Sequence, residues 1–479
     1  MIIDLLKVHK ILTSRCRTIG IGVNMTKKGC TFVRSIIVLL MISFLLAGCQ
    51  SSQVIPSSSS STPASEISQA SEKPVEINVA WQYIKDSQQQ VWFKYIFEPF
   101  TDKHPGVKVN FRTYPDWQTS VRIQIAAGAG PDMFYMDSFD VPYYATRNQI
   151  LNLENYRKQY NLDQVMYDWA IRATLYNGQM YALPQSVEAT ALTYNKTLLN
   201  RLGFDVPRTR EEYVALCEAA LDANLIPVAF GYQGVNILLN WYVEHYLTTY
   251  CGADVIREML EGVRPFNDPV IRDAFKLMKA DWDAGYIGGR RSAATPLNEA
   301  REQFSNQQAV MNFEGAWLTM VDTAPGTWKF DWGQTIWPSM RDGVPPASAI
   351  SLGEAIGISS TSRNADLCVE MMMDYYLDEK VAAQVVASGF STPARPIDPS
   401  LFPADMPGDI KKALDAQAYN MNQPGTGYAP WGFFPTGLNE YILTNFEKLL
   451  YNQMTLDDFM AKGQPILEQD FAKGFVFAG

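Results

Sequence analysis

Histidine is nearly absent from this chain, with three residues in 479: His9, His104 and His245. Catalysis that leans on several imidazoles is hard to build from so few. Cysteine is sparse too, with six residues and no Cys-x-x-Cys spacing. Zinc sites need clustered ligands, so no metal is expected. No apolar run reaches the roughly 20 residues that span a bilayer as a helix. There is no Gly-x-Ser-x-Gly elbow, no His-Glu-x-x-His and no Gly-rich loop ending in Gly-Lys-Ser/Thr. Asp281 and Asp283 lie close together, but a full calcium-loop pattern is missing. Basic residues are outnumbered 40 to 50, giving a net charge of −10. Such a surface repels phosphate polyanions, so nucleic acid is not an expected partner.

What is present suits a globular protein: 47% of residues are apolar and 19% charged. At about 150 residues per domain, two or three domains are expected. The first 48 residues differ from the rest. They hold seven Lys/Arg, one Asp and neither Trp nor Tyr, which leaves 33 basic against 49 acidic residues beyond Gly48. Lys27, Lys28 and Arg34 precede the weakly polar run Ser35–Gly48, the pattern of a secretory signal. Its end, Leu46-Ala47-Gly48-Cys49, resembles the bacterial lipoprotein box, in which the Cys is lipidated and becomes the N-terminus. Residues 1–48 therefore read as a lipoprotein signal peptide, with Met25 the natural start. Residues 49–76 read as the lipidated Cys49 and a Ser- and Pro-rich tether that cannot bury enough surface to fold. The expected location is the outer face of the cytoplasmic membrane, extracellular or periplasmic, held by a lipid. Cys16 and Cys30 leave with the leader. Cys217, Cys251 and Cys368 read as buried apolar side chains, with a Cys217–Cys251 disulfide left open.

The body opens with alternating periods. Ile77–Trp81 is a short apolar run, and Gln88–Asp102 spaces Val91, Trp92, Tyr95, Ile96 and Phe100 as an amphipathic helix does. Val107, Val109 and Phe111 alternate with polar residues, Trp117–Ala127 is again helical, and Asp132–Met136 reads as a third strand. Strand-helix-strand-helix-strand with short links predicts a parallel sheet with helices on both faces. Ligands of such sheets sit beyond the carboxyl ends of strands. Trp81 and Asp137 occupy those ends. The Met371–Met373 run lies in the helical stretch Ala365–Tyr376 and reads as core.

Four segments then carry a resemblance. They are Gly128–Asp137 (GAGPDMFYMD); Tyr181–Pro184 followed by Glu188 and Leu192–Lys196; Phe304–Met311 followed by Gly315-Ala316-Trp317; and Gly353–Ser359 leading into the Ala365 helix. Together, in this order, they resemble the extracellular substrate-binding proteins of ABC transporters, family 1, the group that includes maltose-binding protein. The resemblance implies an α/β fold of two lobes, each a mostly parallel sheet flanked by helices, with a ligand cleft between them. It implies lobe one at 77–187 plus 354–392 and lobe two at 188–353 plus 393–479. Crossings fall near Val187–Glu188, Leu352–Glu354 and Thr392–Arg395. It further implies capture of a carbohydrate, most simply an oligosaccharide, and delivery to the permease subunits of an ABC transporter. No enzyme activity or cofactor is required, and a monomer is expected. The rival readings are a secreted glycoside hydrolase, which needs only two carboxylates and an aromatic cleft, and a binding protein for another polar solute.

A pyranose offers an apolar face to aromatic rings and a hydroxyl rim to carboxylates. By resemblance, Asp137 and Glu188 accept ligand hydroxyls and Trp317 stacks, with Glu314 beside it. Trp431 stands in a Gly/Pro-rich loop, where an uncovered ring is costly. Trp241, at the start of a helix running to Tyr250, and Arg395, after Ser391-Thr392-Pro393, complete the candidates.

Overall fold

A computed structural model describes residues 74–234, 238–289, 295–390 and 392–477. The expected signal, the lipidation site Cys49 and the tether up to residue 73 lie outside the described residues. Twelve strands are described: β1 (Val75–Gln82), β2 (Val107–Tyr114), β3 (Met133–Met136), β4 (Leu175–Tyr176), β5 (Gln179–Met180), β6 (Leu183–Ala189), β7 (Leu192–Asn195), β8 (Ile226–Ala229), β9 (Ala309–Asn312), β10 (Trp332–Thr335), β11 (Ala349–Ile358) and β12 (Gly427–Tyr428). β1 starts two residues inside the expected tether, because Val75 and Glu76 pair with Val107 and Lys108.

The first sheet has β1 between β2 and β3, parallel to both. β3 then meets β11, which runs antiparallel to it and to β6. Alternation along β1 feeds two cores. Ile77, Val79 and Trp81 point to one, and Ala80 to the other. β3 divides the same way, with Met133 and Tyr135 on the first side and Phe134 and Met136 on the second. Helices cover both faces, as the strand-helix alternation predicts.

The first of these runs from Asp86 to Lys103, wider than the expected Gln88–Asp102. It contains a π turn at Phe93–Phe97. Pro99 follows that turn and lacks the N–H of one rung. The helix Ala365–Leu377 buries Met371, Met372 and Met373 in the first core. Cys217, Cys251 and Cys368 are free and buried, so the Cys217–Cys251 disulfide left open above is not formed.

The second sheet has the order β10-β7-β9-β8. Here the pairing departs from the mostly parallel expectation. β7 is antiparallel to both β10 and β9, and only β8–β9 is parallel. β7 enters from β6 after only Thr190 and Ala191, whereas β8 and β9 are joined through helices, as a parallel pair requires. β6 and β11 form the ribbon beside this link. A further segment joins them, since the Val187 N–H donates to the Thr392 carbonyl and the Ala394 N–H to that of Gln185. No helix among the described residues is long and apolar enough to cross a membrane.

Candidate ligand site

Glu188 lies on β6 and is 7% exposed. Its Oε1 accepts a hydrogen bond from Trp241 Nε1 at 2.9 Å. Trp241 stands on the helix Leu239–Tyr246, and its ring meets that of Trp317 at 5.3 Å between centroids. The Trp317 indole in turn donates to Glu314 Oε2 at 3.2 Å. The chain Glu188–Trp241–Trp317–Glu314 thus links four of the candidates read from the sequence. Gly315 permits it, because a Cβ there would sit 1.9 Å from the Trp317 ring. The Arg301 guanidinium, on the helix Leu297–Ser305, also binds Glu314 and pairs with Asp322 at 2.9 Å.

Asp137 directly follows β3 and is 2% exposed. It accepts from the Tyr135 hydroxyl at 2.9 Å and the Gln118 amide at 3.0 Å. Burial holds its carboxyl well above the usual range, and the charge of Asp140 adds to this. Burial likewise pushes Glu188 up to about 7, against the pull of the Trp241 N–H and with the help of Glu354. Asp137 and Glu188 are close enough to feel each other's charge.

Three of the remaining candidates fall elsewhere or need correction in detail. Trp431 does not sit on an open loop. It belongs to a single helical turn, Pro430–Phe433, and is 8% exposed. Its ring meets Phe139 edge-on at 6.2 Å, so the cover that an aromatic needs comes from the protein itself. The next residue, Gly432, lies against Ser351 of β11. Trp81 is fully buried in the first core, against Trp92 at 4.6 Å and Tyr135 at 5.4 Å. Strand parity explains this: Trp81 shares a face with Ile77 and Val79. Arg395 donates to the carbonyls of Tyr376 and Pro396 and pairs with Glu379 at 3.6 Å. It ties the chain to the end of the Ala365–Leu377 helix and joins no other candidate.

Sequence reasoning missed Glu244, one turn beyond Trp241 and hence on the same helix face. It is fully buried, and neither carboxyl oxygen closes a hydrogen bond of ordinary length. Burial holds it well above the usual range, the Glu188 charge adds, and the Thr190 hydroxyl pulls the other way. The three-residue step from Trp241 was the available signal. Glu354 was missed as well. It lies on β11, interacts with Glu188, and accepts from Gln82 Nε2 at 3.1 Å. The site therefore gathers acids around two indoles, an arrangement able to bind hydroxyls and apolar sugar-like faces.

Comparison with known proteins agrees with this architecture. Residues 85–383 match the family described as bacterial extracellular solute-binding protein. The multiple sugar-binding protein of Streptococcus mutans is 24% identical over 387 residues, covering 76% of this chain and 85% of that protein. The galactooligosaccharide-binding protein of Bacillus subtilis is 24% identical over 304 residues, covering 61% and 67%. A solved chitin oligosaccharide binding protein superposes with a TM-score of 0.72 at 20% identity, covering 84% of this chain and 100% of that one. With the family matched across more than half its length and the two-lobed α/β fold in place, the chain belongs to the bacterial extracellular solute-binding proteins.

Proposed function

We propose that this protein captures a carbohydrate, an oligosaccharide, in the cleft between its lobes and delivers it to the permease subunits of an ABC transporter. The observation that carries the reading is the Glu188–Trp241–Trp317–Glu314 chain, in which carboxylates and stacking rings share one site. The relatives named for sugars lend support. In this reading the lobes are 77–187 plus 354–392 and 188–353 plus 393–479, and the hinge is the ribbon in which β6 pairs with β11 and with residues 392–394. Asp137, Glu188, Trp241 and Trp317 hold the ligand, Glu314 sets the Trp317 ring, and Trp431 stands at the margin. Ligand favours the closed arrangement and shifts the population toward it.

A thermal-shift screen against a sugar library tests this, because a ligand that binds only the native state raises Tm. A rise with at least one oligosaccharide is expected. No rise with any sugar, or cleavage of the added oligosaccharide, sinks the proposal. The protein works as a monomer held by a lipid on Cys49. The Cys49→Ser variant should then appear in the medium or remain unprocessed, and normal lipid labelling of that variant would refute the anchor.

A further inference from the structure

Four buried acids elsewhere in the molecule meet an arginine, and a fifth, Asp470, accepts the Leu438 N–H at 2.8 Å and has Lys473 nearby. Asp140 pairs with Arg122, Asp268 with Arg264, Asp281 with Arg210 and Glu314 with Arg301. Asp137, Glu188 and Glu244 do not follow this rule among the described residues. Glu188 faces the Trp241 N–H, Glu354, Glu244 and Asp137. Glu244 faces Glu188 and the Thr190 hydroxyl. Asp137 faces the Tyr135 hydroxyl, the Gln118 amide, Asp140 and Glu188. Arg122 is engaged by Asp140.

A second observation points to a ligand. The Ser351 hydroxyl is fully buried and has no hydrogen-bond partner among the described residues, and the Thr190 hydroxyl reaches only toward Glu244. Ser351 stands directly opposite Glu188 in the β6–β11 ladder, so both side chains emerge on the same face. Glu244 adds two unbonded carboxyl oxygens. The site gathers acids with no cationic side chain paired to them among the described residues.

We infer that the captured sugar carries an ammonium group, and that Glu188, Glu244 and Asp137 bind it as a set. This rests on the reading of sugar capture and specifies its ligand. A carboxylate removed from water is costly unless paired. Neutral hydroxyls donate to one acid at a time, whereas a cation is attracted by all three at once. The Trp241 and Trp317 rings, in contact with centroids 5.3 Å apart, add cation–π attraction from whichever face the amine meets. Burial favours the protonated form of each acid, so pairing them with an amine favours proton release.

The test compares sugars that differ only in an amino for a hydroxyl group. Glucosamine trimer against cellotriose, glucosamine against glucose, and galactosamine against galactose serve as pairs, titrated at pH 6.5 by calorimetry in two buffers of different ionisation enthalpy. The expected result is at least tenfold tighter binding of an amino sugar than of its neutral partner, with net proton release. That preference should fall about tenfold in Glu188→Gln and in Glu244→Gln. The wild-type comparison needs no variant, so a variant that fails to fold leaves the test intact. Equal or tighter binding of the neutral partner overturns the inference and leaves sugar capture standing. Binding of no member of any pair, together with a silent sugar library, overturns both.

Discussion

Two groups of buried acids differ in what faces them. Glu314 is held by the Arg301 guanidinium, which also binds Asp322, and it accepts from the Trp317 indole. Glu188 and Glu244 see one indole N–H, one hydroxyl and other acids. The first group is complete without a ligand and can position Trp317. The second has no cation facing it among the described residues, and burial pushes its carboxyls toward the protonated form. The contrast separates scaffold from recognition within one site: a satisfied acid keeps a ring in place, and an unsatisfied one waits for a partner.

Breaking the satisfied group should have the largest effect. Arg301→Met leaves Glu314 buried and uncompensated, and such a loss costs about 3–5 kcal/mol. Urea unfolding at pH 7 should register it, and a loss under about 1 kcal/mol would erase the distinction. The unsatisfied group should speak through pH. Glu188 is raised from 4.5 to about 7, so the folded state favours its protonated form. Its contribution to stability is full below pH 4.5 and fades as pH rises through 7, by roughly 3 kcal/mol in total. His245, fully buried with its pKa lowered to about 3, works in the opposite sense as pH falls below 6.5. The measure is therefore the difference between wild type and Glu188→Gln across pH 4.5–7.5. That difference should tilt toward the variant as pH rises, and a flat one contradicts the assignment. The smallest effect lies where the two groups meet. Trp317→Ala should weaken sugar binding by about 1–3 kcal/mol with folding largely intact. Unchanged affinity in the folded variant would detach the ring pair from the ligand.

Much of the first sheet was legible because its signals are local. Alternation in Val107–Phe111 and helical spacing in Val91–Phe100 depend only on near neighbours, and both elements are present. The return of β11 beside β6 and β3 was carried only by family resemblance, since pairing at such sequence distance leaves no local trace. The same limit applies to the site. Trp241 and Trp317 could be nominated one by one, but their contact depends on how a helix and a post-strand turn meet. Trp81 was misjudged because a strand end was treated as a direction. Its parity with Ile77 and Val79 already pointed to the core. Glu244 went unnoticed because a fully buried helix offers no polar face against which an acid stands out.

Gly353 sets a further condition on this site. The β6–β11 register pairs Leu352 with Val187 and then Glu354 with Ser186, so Gly353 is an extra residue in the ladder. A Cβ on it would lie 3.1 Å from Glu188 Cβ and 3.3 Å from Oε2. The extra residue also kinks and twists the strand locally, with Glu354 on the face that carries Glu188 and Ser351. Deleting this one glycine would shorten the ribbon by a single step, within what its length could absorb. Glu354 would then stand two residues from Ser351 and stay opposite Ser186 on the Glu188 face, but the local kink and added twist of the bulge would be lost. Homologues that lack a residue at this point should therefore keep the fold and the face of this acid but aim it differently, and the length of this strand becomes a marker by which related chains can be sorted.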